Sequence, residues 1–282
     1  MLVLRIFFNM KSPTGIGLRS PHFEKIEVSR PELGFFEVIS ENHMTGFGRH
    51  RWIIEKLRPD YDFAFHGVSL NLGSPDDLSQ RYLESLKSFI SDFQPFIVSD
   101  HLCWSGAHSH SWFDLLPLPF TQVVLERIVE RISRVQDFLG RRIAIENIST
   151  YLQFKTNEMT EVEFTRAILE KADCDLLLDI NNVHINSSNH SFDPYSYLKS
   201  LPVDRVKQIH LAGHEDRGSF LFDTHDRAVS SSVWKLYEYF VSSFGIRPSL
   251  LEWDSEIPSL EEILKEAHKM EISYQRNHEI ST

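Results

Sequence analysis

Several short runs in the second half of this chain end in residues that bind metals. Ile143-Ala-Ile-Glu146-Asn147, Leu176-Leu-Leu-Asp179-Ile-Asn-Asn182 and Val206-Lys-Gln-Ile-His210-Leu-Ala-Gly-His214 each pass from an apolar segment to a carboxylate or imidazole, and Asp223-Thr-His225 follows them. An apolar run of this length reads as a buried parallel strand. A ligand at its C-terminal end then sits at the mouth of a barrel or sheet, where α/β enzymes carry their chemistry.

Taken over the whole chain, the strand ends supply His66, His101, Glu146, Asp179, His210, Asp223, His225 and Glu252, with Asn182 three residues beyond Asp179. A mononuclear site takes three or four protein ligands. A set twice that size suits two or three ions sharing bridging carboxylates. Nitrogen and oxygen ligation without thiolate fits iron, manganese or zinc better than copper or an iron–sulfur cluster. Each residue alone has an ordinary reading. His66 beside Gly67 could be a satisfied core histidine, Asp223-Thr-His225 a turn cap, and Glu252-Trp-Asp254 charge at the start of a helix. Asp179 is the sharpest, because an unpaired carboxylate is costly behind three leucines. Their joint recurrence at matched positions points to one metal cluster. Cys103, two residues after His101, reads as a small buried hydrophobe beside Trp104 rather than a soft ligand.

The elements that must position these residues alternate. Strands are expected at Gly15–Arg19, Gly34–Ile39, Phe63–Leu70, Phe96–Val98, Arg142–Glu146, Asp175–Asp179, Arg205–Leu211 and Pro248–Asp254. Helices are expected between them. The apolar spacing of Leu78, Tyr82, Leu83, Leu86, Phe89 and Ile90 has the period of a helix face. Thr121–Leu139 stops at Gly140, and Thr160-Glu-Val-Glu163 is a capping box. Short or late helices are expected at Pro194–Leu201, Ser230–Phe244 and Pro258–Met270, with a polar loop at His184–Asp193. Leu102–Phe120, with Trp104 and Trp112, reads as a long aromatic loop, a candidate lid or substrate wall. The fold class is therefore α/β: a single (β/α)8 TIM barrel over residues 1–282, with the metal cluster at its C-terminal face.

Composition narrows the function. A formal charge of −11 without a basic block excludes a nucleic-acid partner. Two cysteines cannot build a disulfide framework, which favours a reducing compartment. Residues 1–10 lack the h-region of a signal peptide, and no run reaches the roughly 18 apolar residues of a membrane span, so no membrane partner and a cytoplasmic location are expected. Fourteen histidines are an excess for which metal binding accounts, with His50, His268 and His278 left as surface imidazoles.

At these same residues the sequence resembles the multinuclear non-haem iron-dependent oxidative enzymes, also known as the domain-of-unknown-function 692 family. The resemblance rests on Gly15-Ile-Gly-Leu-Arg-Ser-Pro-His22, Ser40-Glu-Asn42, His66-Gly-Val-Ser-Leu70, Ser99-Asp-His-Leu-Cys-Trp104 and Asp114-Leu-Leu-Pro-Leu-Pro119. It continues through Glu146-Asn147, Leu178-Asp-Ile-Asn-Asn182, Ile209-His-Leu-Ala-Gly-His214, Asp223-Thr-His225 and Glu252-Trp253. The ligand order is also similar to that of the xylose isomerase-like and endonuclease IV barrels, with Asn182 where that pattern has histidine. The resemblance implies two or three iron ions (Fe2+/Fe3+) held by the nine residues above, and O2-dependent modification of a residue, cysteine foremost, in a ribosomally made precursor peptide. It implies a leader-peptide-binding partner protein as well. Glu41, Asn42, Asp100, Asn147, Asn181 and His214 would surround the metals, with His214 and Asp100 as the catalytic groups. The alternatives are a zinc- or manganese-dependent hydrolase, a sugar isomerase on the same barrel, and a metal-dependent carrier without turnover. No strand-end lysine supports the isomerase.

Overall fold

The computed structural model describes residues 11–44, 48–108 and 110–281; residues 1–10, read above for a targeting signal, lie outside them. Its strands are β1 (Thr14–Gly17), β2 (Phe35–Ile39), β3 (Asp62–Gly67), β4 (Ile97–His101), β5 (Trp104–Ala107) and β6 (His110–Leu116), followed by β7 (Ala144–Glu146), β8 (Asp175–Asp179), β9 (Val206–Leu211), β10 (His214–Asp216), β11 (Leu221–Asp223) and β12 (Ser249–Leu251). Eight of them close a parallel barrel in the order β1-β12-β9-β8-β7-β4-β3-β2. β5 pairs with β6, and β10 with β11, as antiparallel hairpins at the mouth.

Strand alternation explains the interior. Side chains two apart share a face. Phe35, Ala64, Ile97, Ala144, Leu177 and Leu250 form one buried apolar cluster that plugs the barrel. Two residues further along the same strands stand Glu37, His66, Ser99, Glu146, Asp179 and Glu252, all buried. One alternation thus stacks an apolar floor beneath a polar layer. Gly15 belongs to this arrangement, because a Cβ there would run into the ring of Phe35. The intervening residues, such as Phe36, Val38, Phe63 and Phe65, face outward into the larger core shared with the helices.

The helices follow their local signals. Ser79 caps Gln80–Phe93, Thr121 caps Gln122–Leu139, Ser230 caps Ser231–Phe244, and the Thr160/Glu163 capping box starts Glu161–Lys171. The structure corrects three expectations. The polar stretch from His184 is not a loop up to Asp193. Helix Ile180–His190 runs through it, because the Asp179 side chain caps the helix by accepting from Asn182 N–H. Burial of Ile180, Val183 and Ile185 then outweighs the weak helix propensity of its Asn, Ser and His residues. The aromatic segment after His101 is a hairpin rather than a loop. Helix Leu260–Ser281 extends well past Met270. Among the described residues no helix is long and apolar enough to cross a membrane.

Candidate metal centre at the barrel mouth

Three groups of potential ligands meet at the C-terminal ends of the barrel strands: His66, His101 and Glu146; Glu146, Asp179, His210 and Glu252; and His225, Glu252 and Asp254. In the first, the Nε2 atoms of His66 and His101 lie 3.3 Å apart and within 3.1 and 3.3 Å of Glu146 Oε2. In the second, His210 Nδ1 is 3.4 Å from Glu146 Oε1 and 3.1 Å from Glu252 Oε2. In the third, His225 Nδ1 is 3.1 Å from Asp254 Oδ2 and 3.5 Å from Glu252 Oε2. Glu146 is common to the first two groups and Glu252 to the last two. These are the positions that bridging carboxylates would hold.

Three of the four imidazoles are aimed by a bond to the other nitrogen. His66 Nδ1 meets Ser99 Oγ at 2.8 Å, His101 Nδ1 meets the Gly67 carbonyl at 3.1 Å, and His210 Nε2 meets Glu37 Oε2 at 3.0 Å. His225 sits in the left-handed region at φ 48°, a conformation that costs a non-glycine residue about 1–3 kcal/mol. Its N–H donates to the Gly213 carbonyl, and its own carbonyl accepts from Asp254 N–H. The Nε2 of His225 lies 2.8 Å from Asp223 Oδ1. Asp179 divides its oxygens, Oδ1 capping the helix at 2.6 Å from Asn182 N while Oδ2 is left free. Asn182 donates Nδ2–H to the Asn147 carbonyl at 3.0 Å, which leaves its Oδ1 available.

A metal fits this donor set on two counts. Glu146 Oε2, Asp179 Oδ2, Asn182 Oδ1, His210 Nδ1 and His225 Nε2 are buried and make no well-formed hydrogen bond among the described residues. Buried polar atoms rarely stay unpaired without an ion or water to take them up. The electrostatics agree. Burial alone would lower the His66 imidazole, yet Glu146 overrides it and raises it to about 9. Burial also opposes the charged forms of His210 and His225, which their carboxylate neighbours, Glu37 and Asp223 first, nevertheless push well up. Burial beside Glu146 and Asp223 pushes the Asp179 carboxyl well up. The carboxylates thus favour positive charge at the buried imidazoles.

The two residues expected to be catalytic, Asp100 and His214, hydrogen-bond to the groups around the ligands. The Asp100 carboxylate accepts from the backbone N–H groups of Leu70 (3.0 Å) and His101 (2.8 Å), and a Cβ on Gly67 would collide with it. Burial, reinforced by Glu41, raises it to about 7. It lies behind His101 and fixes that strand end; an aspartate one residue from an inward-facing histidine must face outward. His214 pairs through Nδ1 with Asn181 Oδ1 at 2.7 Å, and Asn181 Nδ2 donates to Asp223 Oδ1 at 2.8 Å. Asp100 thus touches a ligand strand end directly, and His214 reaches Asp223 through Asn181. Glu41 accepts from Val68 N–H and Tyr82 Oη, and Asn147 exchanges hydrogen bonds with the Asp179 backbone. Cys103 is fully buried, its thiol pushed well up by that burial, and belongs to none of the ligand groups.

Sequence reading missed Glu37 and Asp254. A signal existed for each. Glu37 is a lone acid inside the apolar strand Phe35–Ile39, and Asp254 is two residues from Glu252. Glu37→Gln would remove the acceptor that holds the His210 Nε2 proton. Losing such a partner typically weakens metal binding about 10–100-fold, and chelator competition on the folded variant would measure it.

Above the ligands opens a cavity of about 570 Å3, whose polar floor includes His66, Glu146, Asn182 and Glu252. Trp112 and Leu115 of β6, Tyr151, and Phe222 of β11 wall it. Residues of both hairpins thus line this cavity. Tyr151 stacks on Phe222 with ring centroids 5.1 Å apart.

A closed parallel barrel with clustered imidazoles and carboxylates at its C-terminal mouth defines a (β/α)8 protein with a candidate metal centre. Among solved structures it is similar to a D-tagatose 3-epimerase-like protein (TM-score 0.62, 13% identity, 95% of this chain and 99% of that one). It is also similar to endonuclease IV from Thermus thermophilus (TM-score 0.60, 14% identity, 94% and 98%). At such identities these likenesses concern the fold alone. Residues 13–275 match the family of the RiPP precursor modification enzyme MbnB/TglH/ChrH, and the chain belongs to that family. UPF0276 proteins of Acaryochloris marina (49% identity, 90% of this chain and 92% of the relative) and Anaeromyxobacter sp. (45%, 90% and 90%) are among its relatives. The family is one of enzymes that act on ribosomally made precursor peptides.

Proposed function

We propose that this protein is a multinuclear non-haem iron enzyme that uses O2 to modify a residue, most directly a cysteine, of a ribosomally made precursor peptide. The observation that carries the proposal is the sharing of Glu146 and Glu252 among three ligand groups, in a chain of a precursor-modifying family. His66, His101, Glu146, Asp179, Asn182, His210, Asp223, His225 and Glu252 would hold the ions, with Asp254 added. Iron bound there would supply Lewis acidity toward a substrate thiolate and one-electron redox capacity toward O2.

The chain's own groups do the rest. Glu37 retains a proton on His210 Nε2 and so presents Nδ1 to the cluster. Among these ligands the buried carboxylates Glu146, Asp179 and Glu252 would offset the charge of bound cations, and the neutral Asn182 amide would add a donor without adding charge. The aromatic walls limit water and orient an extended peptide whose reacting side chain reaches the floor. His214, through Asn181, holds Asp223 against His225. A leader-peptide-binding partner protein would present the substrate, and the reducing cytoplasm would keep its thiol free.

Protein purified without oxygen should carry two or more irons per chain, part of them ferrous and magnetically coupled, by elemental analysis with Mössbauer or EPR spectroscopy. Stoichiometric zinc with no iron-dependent conversion of a cysteine-bearing peptide would sink the proposal in favour of a hydrolase.

A further inference from the structure

Beside the metal cavity lies a second one, of about 510 Å3, on the outer side of the segment that follows β7. The two share a wall. Ser149 and Tyr151 line the metal cavity, whereas Thr150 and Leu152 line the second. The alternation is that of an extended chain. Phe120, Phe154, Phe192 and Tyr197 give the second cavity aromatic sides, and Glu161 lies in it at the start of helix Glu161–Lys171.

Glu161 is the unusual group. Oε1 accepts from Tyr197 Oη at 2.9 Å and Oε2 from Asn186 Nδ2 at 3.1 Å. Both donors are neutral, and among the described residues it has no ion pair. The cavity lining contains no lysine or arginine, and Asp193 adds a further acid at its rim. Burial lifts the Glu161 carboxyl to about 7 despite its two hydrogen bonds. A carboxylate taken from water without a cation is costly, and the group shifts its proton affinity instead. A cation entering the cavity would supply the missing charge, and aromatic faces favour a cation with an apolar stem.

We propose that this cavity receives a basic side chain, lysine or arginine, of the peptide substrate at a position near the residue that reacts. The inference rests on the peptide-modifying reading and extends it to substrate choice. A peptide lying over Tyr151 has its reacting residue on the metal side of the shared wall and its basic residue on the Glu161 side.

The test reads binding rather than turnover. The purified protein is titrated with acetyl-Gly-Gly-Arg-Gly-Gly-amide and with its citrulline twin, followed by NMR or calorimetry. A charge-assisted contact predicts at least about tenfold tighter binding of the arginine peptide. Glu161→Gln should abolish that difference. Ser200→Arg, at an exposed lining position, should weaken the arginine peptide by about tenfold or more by placing a guanidinium in the cavity. Equal binding of the two peptides overturns the proposal, as does a difference that survives Glu161→Gln. Should Glu161→Gln fail to fold, unchanged affinity in Ser200→Arg is decisive against it. Agmatine binding more tightly than the peptide would also overturn it, by assigning the cavity to a free amine. Conversion of a precursor without regard to its basic residues sinks this inference alone. Arginine-selective binding by a protein that holds no iron sinks the oxidative reading alone.

Discussion

Glu146→Gln is expected to lose more than half of the bound metal. Its two oxygens face different ligand groups, Oε2 toward His66 and His101, Oε1 toward His210. An amide offers one oxygen in place of two and no charge. His225→Ala, at the far end of the cluster, should empty one position at most, because Glu146, Asp179 and His210 stay in place. In the metal-free protein below pH 7, Glu146→Gln also leaves buried imidazoles without their counter-charge, a loss of roughly 3–5 kcal/mol. Elemental analysis and urea unfolding of the two variants, with circular dichroism to confirm the fold, measure both effects. Equal metal loss in the two variants would mean that Glu146 does not bridge.

Removing the metal from the wild-type protein should lower its melting temperature on the order of 10 °C. An ion present at a thousand times its Kd stabilises by about 4 kcal/mol, and a domain of this size moves roughly 2–4 °C per kcal/mol. Chelation should also change the dependence on pH. In the metal-free protein His66 is raised from 6.5 to about 9, burial opposing and Glu146 prevailing. Its contribution is therefore fully present below pH 6.5 and lost as pH rises through about 9. Asp179, raised by burial, acts in the same direction from pH 3.8 upward. Glu252 is held well below its usual value, burial opposing and His210 prevailing, so its contribution is present above pH 4.5 and lost as pH falls further. Chelated protein should thus lose stability from pH 7 to 9. Loaded protein should not, because metal replaces those protons and binds more tightly as they leave. Thermal melts of both forms across that range decide the matter, and parallel profiles would show that the cluster holds no metal at neutral pH.

Asp179, His210 and Glu146 were legible in the sequence for a local reason. A carboxylate or imidazole ending a run such as Leu176-Leu-Leu has no solvent beside it, so burial must be repaid by a partner. The short apolar runs, together with helical spacing and capping signals such as Thr160/Glu163, were enough to set the barrel strands and most of the long helices. Helix Ile180–His190 was not legible, because its polar residues signal a loop until Ile180, Val183 and Ile185 find the core. The hairpin β10–β11 was hidden likewise, its pairing of His214 with Asp223 being set by neighbours in space.

What the sequence by itself determined is the inventory: a (β/α)8 barrel, a mixed imidazole–carboxylate set at its strand ends, and the family motifs that run through them. Tertiary structure alone decided which atom of each residue faces the centre. Strand register turned Asp100 outward and Glu37 inward, and barrel closure brought β2 across to His210 on β9. The same closure made Glu146 and Glu252 common to neighbouring groups and added Asp254 to the third. Ligand types are written along the chain, whereas bridging depends on distances between strands far apart in sequence, which no local pattern encodes.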